Sequence, residues 1–301
     1  METRHLTLTP RPPFNFPLIL ETLLASPGSV LEVLSPTEYR RALLIDGRPV
    51  LASVQLAGDP EQPALSLAVT AERVDGATAA AASAAIARIF VTALDTSPID
   101  TLDDPVFARA WAPRRGFRPV QLPDVFEAIA WAIIGQQINV AFAARCKRAI
   151  TERFGGRMEV DGTSYLLFPT PETLAPLEDA ELQALQFSRQ KARYVIGVAR
   201  AIVEGRFRLA ALAAMPADEV LARLQELLGV GRWTAEYVLL RGLGYPDALP
   251  AGDVALQKAV GRAYAMGRSA TEAEVRTLGE RWAPWRSYAT ITWWQTNRVG
   301  A

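Results

Sequence analysis

The stretch Leu227-Leu228-Gly229-Val230-Gly231-Arg232-Trp233-Thr234-Ala235, followed about twenty residues later by Pro250-Ala251-Gly252-Asp253, decides the fold. An apolar helical segment runs into a Gly-x-Gly turn and a second helix leaves it at once, which predicts a hairpin of two helices over residues 217–241. Glycines admit backbone angles that a side chain forbids, and they let another molecule approach the main chain closely. The first N–H groups of the second helix lack intrahelical partners and point outward. Helped by the helix dipole, such an end suits a phosphate oxygen. A plain interhelical turn in a core fits the same letters; the isolated acid downstream is what argues against it.

Outward from this point the chain divides by composition. Residues 1–104 carry 7 Lys/Arg against 13 Asp/Glu, and the remainder carries 25 against 19, so a formal net charge of zero conceals an acidic front and a basic body. That asymmetry fits a non-binding module joined to a nucleic-acid-binding one, or ordinary scatter of surface charge. The excess is small, so modest nonspecific affinity is expected, with backbone amides contributing more than a dense basic patch. At 301 residues, half of them hydrophobic, there is ample material for a core. No apolar run approaches the roughly 20 residues needed to span a bilayer. The start METRHLTLTPRPPF lacks the apolar stretch of a signal peptide, and a cytoplasmic, monomeric protein is expected. Cys146 is the single cysteine, which rules out an internal disulfide and an iron–sulfur cluster built from several thiolates. His5 is the single histidine and lies in a stretch expected to be mobile, which removes Ser-His-Asp triads and imidazole metal clusters.

The fold class expected is α+β: a small antiparallel-sheet domain over 1–104, then a mainly helical domain over 105–301. Short strands are expected at Val30–Leu34, Tyr39–Ile45, Pro49–Leu56 and Ala64–Val69, with turn residues such as Asp46-Gly47 between them. Helices at Leu18–Ala25 and Ala77–Leu94 flank them. Asp124 with Glu127 reads as a capping pair opening an apolar helix to Ile134, which Gly135-Gln136-Gln137 interrupts before a further helix to Phe154. Phe154 to Phe168 reads as a loop or an irregular ribbon. Further helices are expected at 179–184, 189–204, 217–228, 234–241, 254–264, 272–282 and 287–294.

Leu-Gly-Val-Gly-Arg-Trp-Thr-Ala with the downstream Pro-x-x-Asp resembles the helix-hairpin-helix DNA glycosylase superfamily. The segments FEAIAWAIIGQQINV (Phe126–Val140), Phe168-Pro169-Thr170-Pro171 and Trp282-Ala283-Pro284-Trp285-Arg286-Ser287-Tyr288-Ala289 are similar to its alkylation-repair branch, the 3-methyladenine DNA glycosylase II (AlkA-type) proteins. The likeness runs in order over roughly residues 105 to 296 and extends weakly to Pro12-Pro13-Phe14-Asn15-Phe16. It implies excision of alkylated purines from damaged double-stranded DNA, with no cofactor required.

Asp253 precedes Val254-Ala255-Leu256-Gln257-Lys258, so on its own it is a helix N-cap. The resemblance makes it the catalytic acid, and the two roles are compatible because a helix N-terminus favours the ionised form. Breaking an N-glycosidic bond builds positive charge on the sugar, which a fixed anion stabilises. Asp247 is the rival acid and follows Pro246 in an expected solvated turn. Bifunctional relatives carry a lysine where Trp233 stands; an indole forms no Schiff base, which implies hydrolysis without strand cleavage. The resemblance places Trp233, Tyr237 and Trp294 around a base pocket, where aromatic faces attract a cationic methylated purine; an aromatic core is the alternative, and it is the one expected for Trp111, Trp282 and Trp285. Gln137 takes the position of the wedge that fills the gap left by a flipped base, or is an ordinary interhelical glutamine. Amides around Gly229, Val230 and Gly231, with the Thr234 hydroxyl, are assigned to phosphate. The carbonyls of Gln225, Leu227 and Gly229 are the positions where relatives hold a Na+ or K+ ion. The same fold acting on oxidised or deaminated purines stays open, as does a noncatalytic DNA-binding hairpin.

Overall fold

The structure, a computed structural model, describes residues 1–296; the last residues of the expected helical domain, 297–301, lie outside the described residues. Its front is a five-stranded sheet of β1 (Glu2–Leu8), β2 (Val33–Leu34), β3 (Glu38–Ile45), β4 (Arg48–Leu56) and β5 (Leu65–Ala71), all antiparallel in the order β1-β5-β4-β3-β2. Period-two patterning explains the register. Leu65, Leu67, Val69 and Ala71 point inward from β5, and Val50, Ala52 and Val54 do so from β4. Helices α1 (Phe16–Leu24) and α2 (Gly76–Ile89) contribute to the same core, α2 through Ala82, Ile86 and Ile89. The Asp75 carboxylate caps α2 by accepting from Thr78 N at 2.8 Å.

Two expectations here are corrected. The N-terminal stretch is not mobile but forms β1, paired along its length with β5 from Glu2↔Ala71 to Leu8↔Leu65. It is an edge strand exposed over much of its length, so polar letters are tolerated and the sequence shows little alternation. The expected Val30–Leu34 strand shrinks to Val33–Leu34.

The body comprises α3 (Pro105–Trp111), α4 (Val125–Gly135), α5 (Val140–Phe154), β6 (Gly156–Val160), β7 (Thr163–Leu167), α6 (Pro171–Leu174), α7 (Asp179–Gln183), α8 (Arg189–Val203), α9 (Leu209–Leu212), α10 (Ala217–Leu224), α11 (Arg232–Arg241), α12 (Val254–Ala263), α13 (Glu272–Gly279) and α14 (Arg286–Thr296). Helices α3, α6 and α9 were not expected from the sequence. The 154–168 segment is a regular antiparallel hairpin, β6–β7. Its Met158, Val160, Tyr165 and Leu167 cover Ala42 and Leu51 on the far side of the front sheet, forming a second, smaller core.

The main core continues unbroken across residue 104, where Asp104 caps α3. A charged cluster bridges the same seam. Arg41 on β3 grips the Glu127 carboxylate at 2.9 and 2.7 Å and reaches Glu32 at 2.6 Å, while Lys147 on α5 meets Glu127 at 2.7 Å. Arg41, Glu127 and Lys147 are each 1% exposed, so the pairing is dry. Burial pushes the Glu127 carboxyl up, but Arg41 and Lys147 outweigh it and hold its pKa below the ordinary glutamate value. The expected reciprocal cap is therefore half right: Asp124 accepts from Glu127 N at 2.7 Å, whereas the Glu127 side chain turns to the two cations instead of back to the helix start.

Candidate active site and nucleic-acid interface

The carboxylate of Asp253 lies where three donors converge. As N-cap of α12 its Oδ1 accepts from Leu256 N at 2.7 Å. The Trp294 indole Nε1 donates to the same oxygen at 2.9 Å, and Trp233 Nε1 donates to Oδ2 at 3.2 Å. An indole nitrogen only donates, so both carboxyl oxygens act as acceptors here. Oδ2, with one long bond, keeps lone-pair capacity for a further partner. Trp233, Tyr237 and Trp294 form one aromatic wall, with ring centroids 5.8 Å apart between Trp233 and Tyr237 and 6.1 Å between Tyr237 and Trp294. The three residues expected around a base pocket stand side by side, and two of them, Trp233 and Trp294, also touch Asp253. Trp111, Trp282 and Trp285 are buried in the core, where Trp282 also donates to Asp104 at 3.1 Å.

Residues far apart in sequence hold this arrangement. The rival acid, Asp247, is not a free solvated carboxylate. It makes a two-pronged pair with Arg286 at 2.7 and 2.6 Å and accepts from Arg286 N at 3.2 Å, so it acts as a cap for α14. Ser287 Oγ donates to Tyr245 O at 2.6 Å and accepts from Ala248 N at 2.9 Å. The loop that leads to Asp253 and the helix that carries Trp294 are thereby fixed to each other.

In the hairpin the two glycines play different parts. Gly229 has φ +87°, and a Cβ there would stand 2.2 Å from the Tyr194 ring, so both backbone and space demand glycine. Gly231 has an ordinary φ of −81° and open space where a Cβ would go; the expectation that both glycines adopt angles forbidden to side chains holds for Gly229 alone. The amides divide as well. Val230 N is committed to Leu227 O at 3.0 Å, whereas the Gly229 and Gly231 amides donate to no group among the described residues. Thr234 is 2% exposed and its hydroxyl oxygen accepts from Gln136 Nε2 at 3.0 Å, so it braces the hairpin from inside and does not face a ligand. Gln136 also donates to Gly229 O at 2.9 Å, tying the end of α4 to the turn. Gln136 and Tyr194 were missed in the sequence, where nothing distinguishes them from surface residues. Next to Gln136, Gln137 is exposed at φ +56°, a left-handed conformation that costs a non-glycine residue about 1 kcal/mol, and its side chain has no hydrogen bond among the described residues.

The split between the glycines gives a test. Gly231→Ala is expected to leave stability within about 0.5 kcal/mol of wild type and to weaken duplex binding about tenfold by holding a phosphate off the amides. Gly229→Ala is expected to lower stability instead. Thermal melts beside fluorescence-anisotropy titrations separate the two, and equal affinity of Gly231→Ala and wild type would remove the turn from the interface.

A family model described as HhH-GPD superfamily base excision DNA repair protein matches residues 130–284. Over 293 residues the chain is 31% identical to DNA-3-methyladenine glycosylase 2 of Escherichia coli (strain K12), covering 96% of each protein. It is 37% identical to DNA-3-methyladenine glycosylase of Bacillus subtilis (strain 168) over 180 residues, which is 60% of this chain and 59% of that protein's own length. The solved 3-methyladenine DNA-glycosylase from Archaeoglobus fulgidus shares the fold, with a TM-score of 0.85 at 24% identity over 97% of this chain and 98% of that one. The matched span contains the hairpin, Asp253 and two of the three aromatic wall residues, and the chain belongs to the HhH-GPD superfamily of base excision DNA repair proteins.

Proposed function

We propose that the protein is a monofunctional DNA glycosylase that hydrolyses the N-glycosidic bond of alkylated purines, of the 3-methyladenine type, in damaged duplex DNA. One observation carries this reading: an N-cap carboxylate held by two indole N–H groups at the edge of an aromatic wall. A phosphate clamp needs neither. The target base leaves the stack at a cost of a few kcal/mol and enters against Trp233, Tyr237 and Trp294. Positive charge then grows on the deoxyribose, and Asp253 stabilises it and orients the attacking water. A methylated purine that already carries positive charge departs without protonation. Trp233 occupies the place of the lysine that attacks the sugar in bifunctional relatives, which supports hydrolysis alone.

The DNA interface in this reading uses the free amides of Gly229 and Gly231 for a phosphate and Gln137 as the wedge. Its exposed, unpartnered side chain supports the wedge role. Gln225, Leu227 and Gly229 line one depression, and the Leu227 and Gly229 carbonyls each accept a single hydrogen bond, which leaves a lone pair for a Na+ or K+ ion. Such an ion would add positive charge beside the phosphate. The protein would act as a monomer in the cytoplasm and need no further cofactor; no helix among the described residues is long and apolar enough to cross a membrane.

The test is single-turnover base release from methylated duplex DNA, with strand breaks scored before and after alkali. Released base with breaks only after alkali is the expected result. Breaks without alkali would overturn the monofunctional assignment, and absence of released base would overturn the alkylated-purine reading.

A further inference from the structure

Trp131 lies in α4 between alanines, partly exposed, yet its indole N–H is committed: it donates to Tyr237 Oη at 2.8 Å. Two neighbours fix the ring. The Lys147 ammonium, itself paired with Glu127, stands 5.2 Å from the ring centroid. The 26–30 loop comes so close that a Cβ on Gly28 would sit 3.1 Å from the indole. Because the indole nitrogen only donates, Tyr237 Oη is the acceptor and the phenol's own proton needs another partner. Among the described residues no acceptor takes it. Tyr237 is 9% exposed, and its ring stands in the wall between Trp233 and Trp294. Burial above all keeps its hydroxyl protonated. The result is a phenol held by Trp131 at its oxygen, its ring in the aromatic wall and its O–H without an acceptor among the described residues.

We propose that Trp131 is a positioning residue that makes the Tyr237 hydroxyl a hydrogen-bond donor to the departing purine, and that this donor serves neutral purine lesions in particular. This rests on the glycosylase reading above. In hydrolysis the C1′–N9 bond breaks and its electron pair leaves on the purine, while water forms the new C1′–O bond; water's proton ends on the leaving purine when the lesion is neutral and in solvent when the lesion is cationic. A cationic methylated purine becomes neutral when it accepts that pair and gains little from a donor. A neutral purine accepts it as negative charge spread over ring nitrogens and carbonyl oxygen, where a fixed O–H lowers the barrier. Tyr237 shares its proton and does not transfer it. The bond from Trp131 polarises the phenol, since successive hydrogen bonds strengthen one another in a low-dielectric site.

The experiment compares single-turnover release of hypoxanthine, a neutral base, and 7-methylguanine, a cationic one, from duplexes of the same sequence. Wild type, Trp131→Phe, Tyr237→Phe and the double variant are measured, with a thermal melt of each. The hypoxanthine to 7-methylguanine rate ratio is expected to fall about tenfold in either single variant, what one hydrogen bond of ordinary net strength contributes. It should fall no further in the double variant, because Trp131 acts through the hydroxyl that Tyr237→Phe has already removed. Equal slowing of both bases, or multiplied effects in the double variant, would overturn the proposal. An unchanged ratio in Tyr237→Phe overturns it even if Trp131→Phe fails to fold. Wild type that releases 7-methylguanine but no hypoxanthine also overturns it, while the glycosylase reading stands; release of neither base overturns that reading too.

Discussion

Asp253→Asn is expected to lower single-turnover base release by a factor of about a hundred or more, a loss comparable with deleting one preorganised electrostatic group in other enzymes. The substitution is nearly isosteric, and Asn is as good a helix N-cap as Asp, so Leu256 N keeps its acceptor and α12 its start. What changes is charge. The growing positive charge on the sugar loses its counter-ion in a site walled by indoles. With the cap kept on Oδ1, the NH2 group takes the place of Oδ2 and faces the Trp233 N–H, donor against donor. Folding and affinity for abasic duplex should stay close to wild type, because neither depends on the charge. Rates within tenfold of wild type, from a variant with an unchanged melt, would remove Asp253 from the chemistry. Asp253→Ala is a poorer probe, since it also removes the cap at about 1 kcal/mol.

Glu127→Ala should have the largest effect on stability. It leaves Arg41 and Lys147 buried at 1% exposure with their shared carboxylate gone; Arg41 retains Glu32, and Lys147 has no other acid among the described ion pairs. Breaking one side of a buried ion cluster typically costs about 3–5 kcal/mol, most of it from the stranded charge. For a chain of this size that corresponds to a fall in Tm of roughly 10 °C. Denaturant unfolding measures it, and a loss under about 1 kcal/mol would mean that water or rearrangement rescues the cations. The pH dependence has a definite sign. Glu127 has a lower pKa folded than unfolded, so the stability it contributes is complete above the unfolded value near 4.3 and is lost as pH falls through the lower folded value. Wild type should therefore lose more stability than Glu127→Ala between mildly acidic and strongly acidic pH.

The hairpin and the acid were legible because each is local: glycine spacing, a capping position and a helix start are written in consecutive letters. Most helices were legible for the same reason, to within a turn at their ends. The strand β1 was not, since an edge strand with exposed faces carries no alternation worth reading. Trp131 was missed because a tryptophan inside Ala-Ile-Ala-Trp-Ala-Ile-Ile reads as core, and the tyrosine it serves lies 106 positions away. Asp247 was misjudged on similar grounds: its turn looked solvated until Arg286, 39 positions on, closed over it. Val230 and Thr234 sit in the right motif with their polar groups turned to other partners, a distinction that torsion angles decide and letters do not.

The seam at residue 104 bears on how this protein could change over generations. A recombination event carrying only residues 105–301 to a new context would deliver an acid stripped of one of its two cations and a hairpin, β6–β7, whose inner side had become wet. In this chain the helical half therefore leans on the front sheet and would lose those contacts if carried alone. A requirement that the helical half stay folded thereby reaches Arg41, Ala42 and Leu51 on the sheet in front of it.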